Sequence, residues 1–323
     1  MVRFSIQRCT QFRESFVSAF AHLGSKSWYP GHMYKGVLQM QAKLAVVDCI
    51  LEVHDARIPF SGRNPKFYSM LTAVKPHILV LNKSDLIEPS LKKKITVELQ
   101  KTNVQNVLFT DCKASIKGGV NKVVPTAIDL IKNSENYNRE NSRNFSLMVI
   151  GIPNVGKSSL INRLRNIHLN RKKASAVGAT PGITKSVLEK IKICDDPSIY
   201  LFDTPGVVEP SIKNMEVGLK LALCRNLKDN LVGEELMADY LLYWLNKHKN
   251  FTYVKHFDLP EVTDDIRVVL FYIAKNQNLV KKIRNAEGTV QQYPDILTSA
   301  MHFITAFRDG KFGKILLDID HLD

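Results

Sequence analysis

Cysteine is sparse in this sequence and nowhere paired. The five, Cys9, Cys49, Cys112, Cys194 and Cys224, are odd in number, widely scattered and include no C-x-x-C. That excludes a disulfide framework and a zinc finger, and it implies a reducing compartment. Long apolar runs are also lacking. A stretch such as Ile266–Ala274 is interrupted by Arg267 and falls far short of the ~18 residues that a membrane-spanning helix needs. There is no internal repeat, which removes solenoids and propellers. Acids are nearly absent from the first 27 positions, where Glu14 stands alone against Arg3, Arg8, Arg13 and Lys26.

The rest is globular in character. The 323 residues are 45% apolar and 24% charged, enough for a packed core in about two domains. The net charge of +14 is unevenly spread: residues 1–206 hold 30 Lys and Arg against 15 Asp and Glu, residues 207–323 hold 15 against 16. The basic two thirds would attract a polyanion regardless of its sequence. Residues 1–27 are Arg- and Ser-rich, and Phe12, Phe16 and Phe20 fall at helical spacing on one face. They read as a mitochondrial targeting segment, the alternative being an ordinary N-terminal amphipathic helix.

Short apolar runs then alternate with helical patterns. Leu44–Val53, Pro76–Leu81, Asn106–Phe109, Phe145–Ile150 and Ser198–Phe202 read as buried strands, and the alternating Val187–Ile193 as an edge or antiparallel strand. Val120–Ile131 and Lys157–Leu164 carry helical spacing between them, which predicts a doubly wound, mostly parallel α/β sheet. The polar stretch Asn133–Asn144 reads as a surface linker. Glu234–Lys247, Asp264–Lys275 and Tyr293–Phe307 are helical, so a smaller all-α domain is expected over 211–323, read as contacting RNA or the ribosome, after a circularly permuted α/β domain over 28–210.

Gly151-Ile-Pro-Asn-Val-Gly156-Lys157-Ser158 is a G-x-x-x-x-G-K-S phosphate loop between a predicted strand and a predicted helix. Its backbone amides, Asn154, Val155 and Gly156 among them, can wrap phosphates. Lys157 faces the terminal phosphates, Ser158 can ligate Mg²⁺, and Ser159 continues the helix N-terminus. Asn82-Lys83-Ser84-Asp85 follows a strand, where the Asp85 carboxylate can accept from guanine N1 and N2 groups that adenine lacks. Asp203-Thr-Pro-Gly206 closes another strand and supplies a carboxylate for Mg²⁺ through water and an amide that can sense a γ-phosphate. Thr184, between the phosphate loop and Asp203, offers a hydroxyl to complete the Mg²⁺ shell.

The order of these motifs is unusual: N-K-x-D precedes the phosphate loop, which precedes Thr184 and D-x-x-G. Circular permutation of one doubly wound sheet keeps such a site intact and joins the segment after Gly206 to the helical region. A P-loop ATPase or kinase remains an alternative that nucleotide competition separates. Lys92-Lys-Lys94 and Arg171-Lys-Lys173 read as solvated helix faces or RNA contacts, and Asp55 with Arg57 as a salt bridge or an RNA contact.

Together with Trp28-Tyr-Pro-Gly-His32-Met33, Asp55-Ala-Arg-Ile-Pro-Phe-Ser61, Arg63-Asn-Pro65 and Pro181-Gly-Ile-Thr184, the permuted order resembles the circularly permuted GTPases of the YlqF/RbgA type. Tyr29 stands where bacterial members usually carry Phe. Val207 follows D-x-x-G and cannot orient water, so the resemblance implies that His32 takes that role. It also implies K⁺ at Asn154 beside the phosphates. The fifth guanine-binding element is placed by order only, at Thr110–Ser115.

The function so implied is GTP hydrolysis, slow until stimulated, by an assembly factor for the large subunit of the mitochondrial ribosome. Its partners would be GTP and GDP, that subunit and its ribosomal RNA. The location would be the mitochondrial matrix, with peripheral association at the inner membrane. The alternatives are a non-catalytic GTP-dependent RNA-binding scaffold and the same enzyme acting on cytosolic or nucleolar ribosomes.

Overall fold

A computed structural model describes residues 12–17, 44, 46–64, 75–114, 118–134, 144–169, 190–203, 210–284 and 290–322. The chain divides into two compact units, one of Tyr29–Leu227 with Lys314–Asp323, the other of Met1–Trp28 with Lys228–Gly313.

The first unit is built on β1 (Cys49–Asp55), β2 (His77–Asn82), β3 (Val107–Phe109), β4 (Asn144–Ile150), β5 (Lys190–Cys194) and β6 (Ser198–Asp203). Their order is β3-β2-β1-β4-β6-β5. All neighbours are parallel except β5, which pairs antiparallel with β6 at the edge. All six residues of β2 are buried, the near-continuous apolar run of a strand covered on both faces. On β5, Ile191 and Ile193 turn inward while Lys190 and Lys192 lie over the Tyr200 ring, the alternation that suits an edge.

Helices α1 (Leu91–Lys101), α2 (Val123–Lys132) and α3 (Lys157–His168) bury stripes such as Ile95 with Leu99 and Leu160 with Leu164. Because β1 lies between β2 and β4, the winding direction reverses there. In such sheets a ligand sits beyond the carboxyl ends of the strands at that reversal.

Helix α4 (Met215–Leu223) belongs to this unit. Asn214 caps it by accepting from the Val217 N–H at 2.9 Å, and the preceding Ser211 bridges Gly62. The C-terminal tail also returns here. Leu316 packs with Ala56, Leu79, Leu81, Ile95 and Leu99, Ile315 N donates to Leu86 O at 2.9 Å, and Leu317 N donates to Arg57 O at 2.8 Å. Asp318 is fully buried and accepts from Phe60 N (3.0 Å), Ser61 N (2.8 Å), Ser61 Oγ (2.6 Å) and Lys220 Nζ (3.2 Å). The division between units therefore falls at 227/228, not 210/211. The expected 211–323 domain loses both its first helix and its tail, because each is held by buried polar contacts to the sheet unit.

The second unit contains α5 (Asp229–Val232), α6 (Glu234–Lys247), α7 (Thr252–His256), α8 (Ile266–Asn276), β7 (Val280–Arg284), β8 (Val290–Pro294) and α9 (Ile296–Arg308). Eleven consecutive residues of α6, Leu236–Asn246, are buried, so this helix is the centre on which α8 and α9 pack. Tyr253, Phe257, Phe303 and Phe312 form an aromatic cluster beside it. The all-α expectation fails at β7–β8, which form an antiparallel hairpin.

Part of the expected targeting segment is folded into this unit. Arg13 pairs with Asp239 at 2.9 Å and Asp264 at 3.0 Å. Phe16 packs edge-on against Tyr240, and Phe12 lies 5.6 Å from the Phe251 ring. Tyr243 Oη donates to Glu14 O at 3.2 Å. Residues 12–17 form no helix, so Phe12 and Phe16 are placed by these separate contacts and not by a shared helical face. Phe20 lies outside the described residues.

Candidate functional site

The phosphate loop leaves β4 at Gly151 and enters α3 at Lys157, the strand–loop–helix context that its sequence predicts. Two of its glycines are dictated by neighbours. A Cβ on Gly151 (φ 150°) would stand 2.2 Å from Val53 O, and one on Gly156 (φ 99°) 2.3 Å from Asn82 Nδ2. Only glycine at these two positions lets the loop press so closely against β1 and the N-K-x-D segment. Lys157 is buried and donates to Gly151 O and Ile152 O, both at 2.9 Å, so its ammonium lies across the loop. Burial pushes its pKa down to about 8, with Asp203 pulling the other way. Val155 is buried, and Ser158 and Ser159 are half-buried in the first turn of α3.

Asn82 and Lys83 meet this loop from the end of β2. Asn82 Nδ2 donates to Val155 O at 2.9 Å, and Lys83 Nζ donates to Asn154 O at 3.0 Å. Lys83 adopts a left-handed conformation (φ 59°) that turns the chain into the short helix Ser84–Leu86. Asp85 is exposed in that turn, at the carboxyl edge of the sheet. Beside it runs the segment after β3: Thr110 Oγ1 donates to Asn82 Oδ1 at 3.2 Å, Ser84 N donates to Thr110 O at 3.0 Å, and Asp111 Oδ1 caps Lys113 N and Ala114 N. The element located by order alone thus touches the N-K-x-D loop. Asp203 ends β6 in register with Val149, two residues before Gly151.

Asp55 and Arg57 form a buried pair. Arg57 donates from N, Nε and one Nη to the Asp55 carboxylate at 3.0, 3.0 and 2.8 Å. Lys83 Nζ adds a third cation contact at 2.8 Å. Burial alone would raise the Asp55 carboxyl, but Arg57 and Lys83 outweigh it and hold it well below the usual carboxylate range. With no solvent exposure, Asp55 serves as a salt bridge and not as an RNA contact.

Two further groups hold the phosphate loop and carry no motif. Asn226 Nδ2 donates to Pro153 O at 2.7 Å, and Asn154 Nδ2 donates to Arg225 O at 2.8 Å. Both come from the turn after α4, whose sequence offers no signal for them. His32, Thr184 and Gly206 lie outside the described residues, as do Val207, Arg171, Lys172 and Lys173. Lys92 reaches Ser84 Oγ at 3.4 Å, while Lys93 and Lys94 are exposed on α1.

Among the described residues no group of three or more His, Cys, Asp or Glu converges on a metal position. Ser158 and Asp203 instead offer two hard oxygen donors beside the phosphate loop. Such a sparse set suits Mg²⁺, which keeps its waters and takes further oxygens from phosphates. When bound, Mg²⁺ neutralises charge that develops on the terminal phosphates.

An N-K-x-D loop hydrogen-bonded onto a phosphate loop is the arrangement of a P-loop GTPase. Here the N-K-x-D loop comes first in the chain, so the class is a circularly permuted GTPase. Known proteins agree. The family described as 50S ribosome-binding GTPase matches residues 146–275. The chain is 53% identical to mitochondrial GTPase 1 of Aedes aegypti over 91% of this chain and 94% of that one. It is 49% identical to mitochondrial ribosome-associated GTPase 1 of Ictalurus punctatus over 90% and 92%. The crystal structure of GNP-bound YlqF from T. maritima shares the fold, with a TM-score of 0.55 at 20% identity over 88% of this chain and 97% of that one. The chain belongs to the circularly permuted GTPases of the YlqF/RbgA type, the family of mitochondrial GTPase 1, and it hydrolyses GTP.

Proposed function

We propose that this GTPase is an assembly factor for the large subunit of the mitochondrial ribosome. It binds immature particles in the GTP state and leaves after hydrolysis, in the mitochondrial matrix or at the inner membrane face. The observation that carries the reading is the pair of hydrogen bonds from Asn82 and Lys83 to Val155 and Asn154, which ties the N-K-x-D segment to the phosphate loop across more than 70 residues of sequence. The names of its relatives and the description of its family supply the ribosomal context. Among the described residues no helix is long and apolar enough to cross a membrane.

In this reading Asp85 reads guanine, the amides of 154–159 and Lys157 hold the phosphates, and Ser158, Thr184 and Asp203 serve Mg²⁺. Gly206 senses the γ-phosphate, His32 orients the attacking water, and Asn154 holds K⁺ where a cation offsets charge in the transition state. Turnover is slow until the particle is engaged. Sedimentation with large ribosomal subunits tests this: co-migration is expected with a non-hydrolysable GTP analogue and release with GDP. GTPase activity that stays flat on adding particles, with no nucleotide-dependent co-migration, would overturn it.

A further inference from the structure

The hairpin β7–β8 stands out because all ten of its strand residues are exposed. A two-stranded ribbon is marginal in water without a packed face, so this one presents surface for something else. Residues 228–313 contain 11 Lys and Arg against 11 Asp and Glu, yet three of the cations, Lys281, Lys282 and Arg284, fall within the five residues of β7. Neither strand contains an acid. Among the described residues no ion pair engages Lys282 or Arg284, and Lys281 lies near Asp295 at the hairpin base.

The pairing register sorts the ribbon into two faces. Lys282 opposite Gln292 and Arg284 opposite Val290 share one, with Val280 opposite Pro294. Lys281 opposite Tyr293 and Ile283 opposite Gln291 share the other. The first face offers cations and an amide. The second offers a cation, an amide and the aromatic residue Tyr293, which is 43% exposed.

We propose that the β7–β8 hairpin is an RNA-binding ribbon. Lys282 and Arg284 contact phosphates on one face, and Lys281 with Tyr293 takes an unstacked base on the other. This partner fits better than an acidic protein surface, because a flat aromatic ring beside cations and amides stacks a base of any kind and tracks a phosphate backbone. The proposal rests on the ribosomal reading of the GTPase and names the element that makes the contact.

The test uses the full chain, bound to a non-hydrolysable GTP analogue, with transcribed large-subunit ribosomal RNA as the probe over a range of salt. The triple variant Lys281→Gln, Lys282→Gln, Arg284→Gln is expected to lose at least about tenfold in RNA affinity near physiological salt. Its slope of log affinity against log salt should fall by about 1.4, at ~0.7 for each of the two phosphates of unpaired RNA left without its cation. Tyr293→Ala should weaken binding several-fold with the slope unchanged. GTP hydrolysis by the free protein should be unaffected in both. A triple variant that binds RNA with the parent's affinity and slope overturns the hairpin proposal. If the parent still sediments with particles in that case, the ribosomal reading survives and the ribbon's partner is a protein. A parent that neither binds RNA nor sediments removes both.

Discussion

At the scale of single residues, the site is governed by charges held in place by other charges. Asp85 is exposed and free to meet a base, so its neutral isostere should leave the fold intact and change only recognition. Asp85→Asn is expected to lower GTP affinity by about 10–100-fold and raise that for xanthosine triphosphate, measured by nucleotide competition. An unchanged base preference would contradict the guanine assignment. Lys157 yields a pH prediction. Burial places its pKa near 8 before nucleotide arrives, and phosphate anions raise it. Binding therefore takes up a proton above about pH 8. Affinity for GTP should be flat near pH 6–7 and fall by up to about tenfold per unit above 8, which titrations across that range would show. Asp55 illustrates a limit of reading by residue type. The string Asp55-Ala-Arg57 announces a charge pair, but only burial decides between salt bridge and RNA contact.

At the scale of elements, legibility tracks periodicity. The strands ending at Asp55, Asn82, Ile150 and Asp203 are readable because buried parallel strands are continuous apolar runs, and α6 matches Glu234–Lys247 without adjustment. The hairpin is not, because Val-Lys-Lys-Ile-Arg faces water on both sides and so has no inward row to betray it. The N-terminal segment hides its packing for a different reason. Its Arg- and Ser-rich, acid-poor composition is that of a targeting segment, while the partners of Arg13 lie at Asp239 and Asp264, more than 220 residues away. Arg13→Ala removes a cation facing an almost fully buried carboxylate, so it is expected to cost about 2–3 kcal/mol and lower the melting temperature. If the protein is imported and trimmed, mass spectrometry should place the mature N-terminus at or before Phe12. A terminus near residue 27 would show that the packing of Phe12–Val17 is dispensable.

At the scale of the whole molecule, the two units are interleaved in sequence. The tail after Gly313 contributes Leu316 to the core of the nucleotide unit and Asp318 to a buried knot with Ser61 and Lys220. Asp318→Asn leaves the Lys220 ammonium buried without its carboxylate and should cost about 3 kcal/mol in chemical denaturation. Adding Lys220→Met should recover part of that loss, the sign of direct coupling. No residue pattern marks this tail, because a few apolar residues and three acids near a C-terminus resemble any surface end.

The returning tail also governs how the protein can be dissected. A premature stop anywhere between 228 and 313 deletes Leu316 and Asp318 along with whatever part of 228–313 follows it, so a nonsense allele there is expected to damage nucleotide binding as well as any partner association. Separating the two roles genetically calls for an internal excision that splices Leu227 to Lys314 through a flexible bridge.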